Sequence, residues 1–203
     1  MLALLTGLGL ASAAGLNAYI PILVVGFLGR YTDLVTVPSQ FSWMTSGWAL
    51  TIVSLLCAAE VILDKVPVVD SVNDMIQTFI RPAAGGAVMV ASTAAGQLDD
   101  SIGSSTLLAD NPWIGWVLGI GVALAVHVTK TTIRPIANTG TLGTAAPVLS
   151  TAEDFFSVGM SIIAIVAPVI ALFFLIALMF AAIRLIAAAR RRKAKRAARL
   201  SES

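Results

Sequence analysis

The chain has 203 residues, of which 58% are hydrophobic and only 12% charged, with a mean hydropathy of +0.91. Charged residues make up about a quarter of an ordinary soluble domain, so this composition excludes that class and points to a helical membrane protein. The net charge of +2 conceals a division: residues 184–203 hold eight Lys/Arg against Glu202, whereas residues 1–183 hold five Lys/Arg against ten acids. A lone cysteine, Cys57, excludes an internal disulfide, and with His127 the only histidine there is no Cys/His cluster at metal-ligand spacing. No metal or cofactor is expected.

Residues 1–29 carry no charge. At about 1.5 Å per residue a straight helix of that length would reach roughly 44 Å, against a hydrocarbon core about 30 Å thick. The tilt needed to fit, about 47°, exceeds the usual range of about 0–40°. A break is expected, marked by Gly15, Asn17 and Pro21: glycine weakens the helix, and Pro21 has no N–H to give the Asn17 carbonyl. The plain reading is a kinked span and the functional one a discontinuous helix. Ala11-Ser12-Ala13 resembles a signal-cleavage site but lacks a basic start. Gly7, Gly9 and Gly15 follow no strand, so they do not make a dinucleotide loop.

After a connector containing Asp33, Pro38 and Trp43, the second span is read over residues 47–63, with Trp48 at its entry. Cys57, Glu60 and Asp64 fall at i, i+3 and i+7, so the two carboxylates share a helix face. Lys65-Val66-Pro67 ends that helix. Ser71-x-x-Asp74 looks like a capping box opening a short helix, with Asp74 as cap. Pro82 suits the first position of a third span, residues 82–98, with Arg81 forced out of helical geometry just before it. Ala83, Ala87, Ala91 and Ala95 form a smooth packing stripe along that span.

An acidic loop, residues 97–111, leads to a fourth span from Pro112 to about Thr132, with Trp113 and Trp116 at its entry and Gly115-x-x-x-Gly119 as a packing surface. His127, Lys130 and Arg134 share its exit face, and Arg134-Pro135 closes it. Residues 136–150 read as too polar to span. Ser150-x-x-Glu153 is a capping box and Asp154 suits a helix N-terminus. Residues 155–183 form another uncharged run, a kinked final span interrupted by Pro168. The basic tail reads as a helical anchor on anionic lipid head groups rather than a nucleic-acid site. Gln77-Thr78-Phe79-Ile80-Arg81-Pro82 is echoed by Lys130-Thr131-Thr132-Ile133-Arg134-Pro135, a weak internal similarity.

The expected fold is therefore all-α: a polytopic helical membrane protein of five spans, with kinked first and last helices. Six spans result if the first segment folds as a hairpin about Asn17. Residues 1–183 form the membrane domain and residues 184–203 a basic tail. Lys and Arg near span ends favour the cytoplasmic side, which places the C-terminus there in a multi-pass protein of the cell membrane. Alternating spans then bring the candidate polar centre together at one outer mouth: Glu60, Asp64, Lys65, Asp70, Arg81, His127, Lys130, Arg134 and Asp154, with Asp74 and Glu153 beside them. Ionisable groups near hydrocarbon are costly enough to mark a functional site. Glu60 and Asp64, one turn apart, would repel unless a cation sits between them. Lys65 points about 100° away from Asp64, which makes Arg81 or Lys130 the better partner.

GLNAYIP, the run from Glu60 through DKVPVVDSVND to TFIRPAAGG, HVTKTTIRPIANT and STAEDFFSVGMSIIA together resemble an uncharacterised bacterial membrane family, domain-of-unknown-function family four-one-two-six. The resemblance implies helical membrane architecture and no particular activity. Three function classes stay open. One is a small transporter or channel component for an ion or a small polar or anionic solute, with Arg81, Arg134 and the Ala83–Gly86 turn as anion donors. Another is an accessory subunit, in a homo-oligomer or a larger membrane complex, docked through the small-residue faces of spans three and four. The last is an intramembrane enzyme using Glu60 or Asp64 as a general base, for which no nucleophile or metal constellation is present.

Overall fold

The computed structural model describes residues 1–99, 111–141 and 145–201. Its regular structure is all helical: α1 (Leu2–Leu16), α2 (Tyr19–Tyr31), a 3-10 helix (Ser39–Thr45), α3 (Gly47–Leu63), α4 (Pro67–Asp99), α5 (Pro112–Thr141), α6 (Ala145–Val166) and α7 (Pro168–Ser201).

The organising element is α1, and its composition explains why. Gly7, Gly9, Ala11, Ser12, Ala13, Ala14 and Gly15 are all buried, so α1 presents small residues on every side and packs against α4, α5, α6 and α7. A Cβ on Gly9 would lie 2.6 Å from that of Ala164, and one on Gly15 2.6 Å from the Ala123 carbonyl oxygen. Helices that lack a hydrophobic driving force between them in lipid rely on such close approach. α4 and α5 run antiparallel, with Thr78 opposite His127, Gly85 against Gly119 and Ala123, and Gly115 against Val90.

The outside of the bundle is apolar. Ile52, Leu55, Met75, Phe79, Phe155, Phe156 and Phe173 are exposed, whereas Arg81, Glu60 and His127 are among the largest fully buried side chains. Polar groups turned inward and large apolar ones outward is the distribution a hydrocarbon solvent favours. Among the described residues, Pro112–Arg134 and Ala146–Val166 are long and apolar enough to cross a membrane. A third span results if the 3-10 helix and α3, bent by 59°, count as one. By that measure five or six spans are not confirmed: α1, α2 and the Pro168–Ala181 part of α7 are apolar but shorter, and α4, which holds the expected third span, is not among the candidates.

Several expected boundaries are corrected. α4 is one helix from Pro67 that contains Pro82, so neither Ser71 nor Pro82 opens a helix and Arg81 is helical. α5 likewise continues past Pro135 to Thr141. α6 starts at Ala145, so Ser150 and Glu153 lie within it and do not cap it. The run 155–183 is divided at Ala167. The loop acids Asp100 and Asp110 lie outside the described residues.

Candidate functional site

Five elements converge on one cluster of charge. At its centre is Asp64, the C-cap of α3, only 2% exposed. Its Oδ2 lies 3.0 Å from Lys130 Nζ, 3.4 Å from Arg134 Nη2 and 3.5 Å from Arg81 Nη2, and its Oδ1 accepts from Asn73 Nδ2 at 2.7 Å. One turn back, Glu60 Oε1 accepts from Arg81 Nη2 at 2.7 Å. The guanidinium of Arg81 thus sits between the two carboxylates and relieves their repulsion. It also reaches Asp74 Oδ1 at 3.6 Å. From α6, Glu153 pairs with Arg134 and, at 3.1 Å, with Lys130.

The hydrogen bonds define the state of His127. Its Nδ1 lies 3.0 Å from Arg81 Nη1, which can only donate, so Nδ1 accepts. Its Nε2 lies 3.0 Å from Thr78 Oγ1, which already donates to the Asp74 carbonyl at 2.8 Å, so Nε2 carries the hydrogen. His127 is the neutral Nε2–H tautomer, a bridge between α4 and α5.

The break between α1 and α2 opens onto this cluster. Asn17 takes extended geometry (φ −143°, ψ 122°). Its Oδ1 accepts from the Tyr19 and Ile20 amides at 3.1 and 3.3 Å, starting α2, and Pro21 falls in that helix's first turn, where an N–H is not needed. Asn17 Nδ2 donates to Asp154 Oδ1 at 3.0 Å, and Lys130 Nζ donates to the Leu16 carbonyl at 3.2 Å. Lys130 therefore ends α1 as well as pairing with Asp64 and Glu153. Replacing Asn17 by alanine removes a cap and a hydrogen bond to a carboxylate. The expected loss is about 2.5–4 kcal/mol, a cap of about 1 with a charged bond of about 1.5–3, read as a lower melting temperature in detergent.

The sequence-derived residues divide clearly. Glu60, Asp64, Arg81, His127, Lys130 and Arg134 are buried, with exposures of 0–5%, so the cluster is interior rather than an open mouth. Lys65 and Asp154 form a looser outer pair, 3.7 Å apart. The side chain of Asp70 lies outside the described residues. Arg81 and Arg134 both face carboxylates, and the Ala83–Gly86 amides lie inside α4 rather than at the helix N-terminus expected from the sequence. Sequence reasoning missed Asn73, Gln77 and Thr78. Asn73, Gln77 and Arg81 make an i, i+4, i+8 polar stripe opposite the exposed Val69, Val72, Met75, Ile76 and Phe79, a helical periodicity legible from residue 69 onward.

A family model for a domain of unknown function, DUF4126, matches residues 4–188. The chain belongs to that family. The DUF4126 match runs from α1 into α7 and contains every residue of the ion cluster. No curated protein and no solved structure matches the chain.

Proposed function

We propose that this chain is a small multi-pass transporter or channel component of the cell membrane, with five or six crossings and a cytoplasmic tail, that moves an ion or a small polar solute through the buried ion cluster. The observation that carries the reading is the broken α1–α2 helix, whose free carbonyl at Leu16 and side chain at Asn17 are held by Lys130 and Asp154. Discontinuous helices whose ends meet buried charge are the usual construction of transporter binding sites. Any movement at the break must here rearrange the pairs of Asp64 and Glu153. Since both arginines already face carboxylates, a cation or neutral polar solute fits better than an anion. The subunit reading loses ground because the small-residue faces of α4 and α5 pack on each other through Gly85, Gly119 and Ala123. The test is reconstitution of the purified chain alone into liposomes, with native-gel analysis of the input. Flux of at least one member of an ion and small-solute panel is expected. A silent panel would favour the subunit reading.

A further inference from the structure

Among the described side chains the inner cluster holds more acids than bases: Glu60, Asp64, Asp74 and Glu153 supply four negative charges, whereas Arg81, Lys130 and Arg134 supply three positive ones. A net charge held away from water is costly, and the cheapest remedy is one added positive charge. Its location follows from which oxygens already have partners. Asp64 is saturated by three cations and Asn73, and both oxygens of Glu153 meet Arg134. Asp74 Oδ1 accepts no hydrogen bond but faces Arg81. Glu60 is engaged through Oε1 alone. Its Oε2 is buried without a hydrogen-bond partner, on a residue 2% exposed.

Besides Asp74 Oδ1, the facing helix carries two more orphans, the donor Arg81 Nε and the acceptor Gln77 Oε1. Gln77 is also 2% exposed, and its Oε1 is buried and unpartnered. It sits between Asn73, which reaches Asp64, and Arg81, which reaches Glu60, on the α4 stripe that faces α3. Two acceptors cannot satisfy each other, but a carboxylic acid O–H donates to an amide oxygen and satisfies both. An alkali ion would have to sit beside the Arg81 guanidinium, 2.7 Å from the same carboxylate, whereas a proton neutralises the carboxylate and adds no second cation. The other groups acting on Glu60 are Asp64 and Cys57 on its own helix, Lys130 of α5, and Tyr19 of α2, whose phenol also meets the Gln77 side chain. His127 meets Arg81, the partner of Glu60, at 3.0 Å.

We propose that Glu60 is a proton-binding site, taking one proton from water on Oε2, with Gln77 Oε1 accepting the resulting hydrogen bond. An O–H bond of a hydronium ion breaks as the carboxyl O–H bond forms, leaving water, and Arg81 keeps Asp64 and Asp74 as counter-charges. The use of this proton as a coupling ion rests on the transport reading; the site itself does not.

Infrared difference spectra of the full chain in lipid nanodiscs, recorded on acidification, test the site. The wild type is expected to gain one carboxylic-acid carbonyl band that Glu60→Gln lacks. In Gln77→Leu the band should persist and shift to the higher frequency of an acid without a hydrogen bond. Sodium or potassium should leave it unchanged. A band that survives in Glu60→Gln, no band in the wild type, or removal of the band by an alkali ion overturns the proposal. Should Glu60→Gln fail to fold, an unshifted band in Gln77→Leu overturns it equally. A band without flux in liposomes sinks transport and leaves the site standing; flux without a band does the reverse.

Discussion

Asp64→Asn is expected to destabilise the protein by about 3–5 kcal/mol, the range for removing one partner of a buried ion pair. The substitution keeps the size of the side chain and removes only its charge. Lys130, Arg134 and Arg81, each exposed by no more than 5%, then share fewer anions. Lys130 would retain Glu153 and Arg81 would retain Glu60, so the loss is that of one hub and not of the whole network. The natural comparison is Lys65→Ala, whose partner lies 3.7 Å away across a partly exposed surface and whose loss should stay within about 1 kcal/mol. Thermal melting of both variants in one detergent separates the inner cluster from its rim. Equal melting temperatures would mean that Asp64 is not the hub.

Gly119→Val is expected to do comparable damage without touching a charge. A Cβ at Gly119 would run into the Gly85 carbonyl oxygen and lie 2.6 Å from Met89 Cβ. The obstacle is backbone, so the helices must separate rather than a side chain turn away. Overpacking of this kind costs about 1–3 kcal/mol, and a branched side chain at a backbone contact belongs at the upper end. Gly121, two residues on, is different: a methyl group added there would meet nothing within 4 Å. Gly121→Ala should therefore be neutral or gain up to about 1 kcal/mol from helix propensity. A melting series across Gly119→Val, Gly119→Ala and Gly121→Ala checks the antiparallel α4–α5 contact directly.

What the sequence made legible was chemistry with a short range. The uncharged runs announced helices, the Asn17–Pro21 pattern announced an interruption near residue 17, and span alternation brought Glu60, Asp64, Arg81, Lys130 and Arg134 to one end. Pro82 and Pro135 misled because each local preference was read as a boundary. A proline inside a helix costs about 3 kcal/mol, yet each of these follows an arginine buried against Asp64. Holding those arginines in place outweighs the local preference. Ser150-x-x-Glu153 misled for a related reason: Glu153 faces Arg134 and Lys130, a tertiary demand that a four-residue pattern does not display. The depth of the cluster was equally hidden. Charge near a span end reads as a mouth until the apolar outer face of α4, Val72 to Phe79, shows that the same stretch is covered on its other side.

Passage of a species across the membrane through the ion cluster at the helix break, as proposed above, is tested most directly by flux through reconstituted Glu60→Gln beside the wild type. The variant must first match the wild type in melting temperature and native-gel migration, so that any difference concerns movement and not assembly. Wild-type protein is expected to drive pH- or cation-dependent flux, and the folded, normally assembled Glu60→Gln protein to have lost it. Undiminished flux in that variant, or none in the wild type across the whole panel, would contradict the proposal.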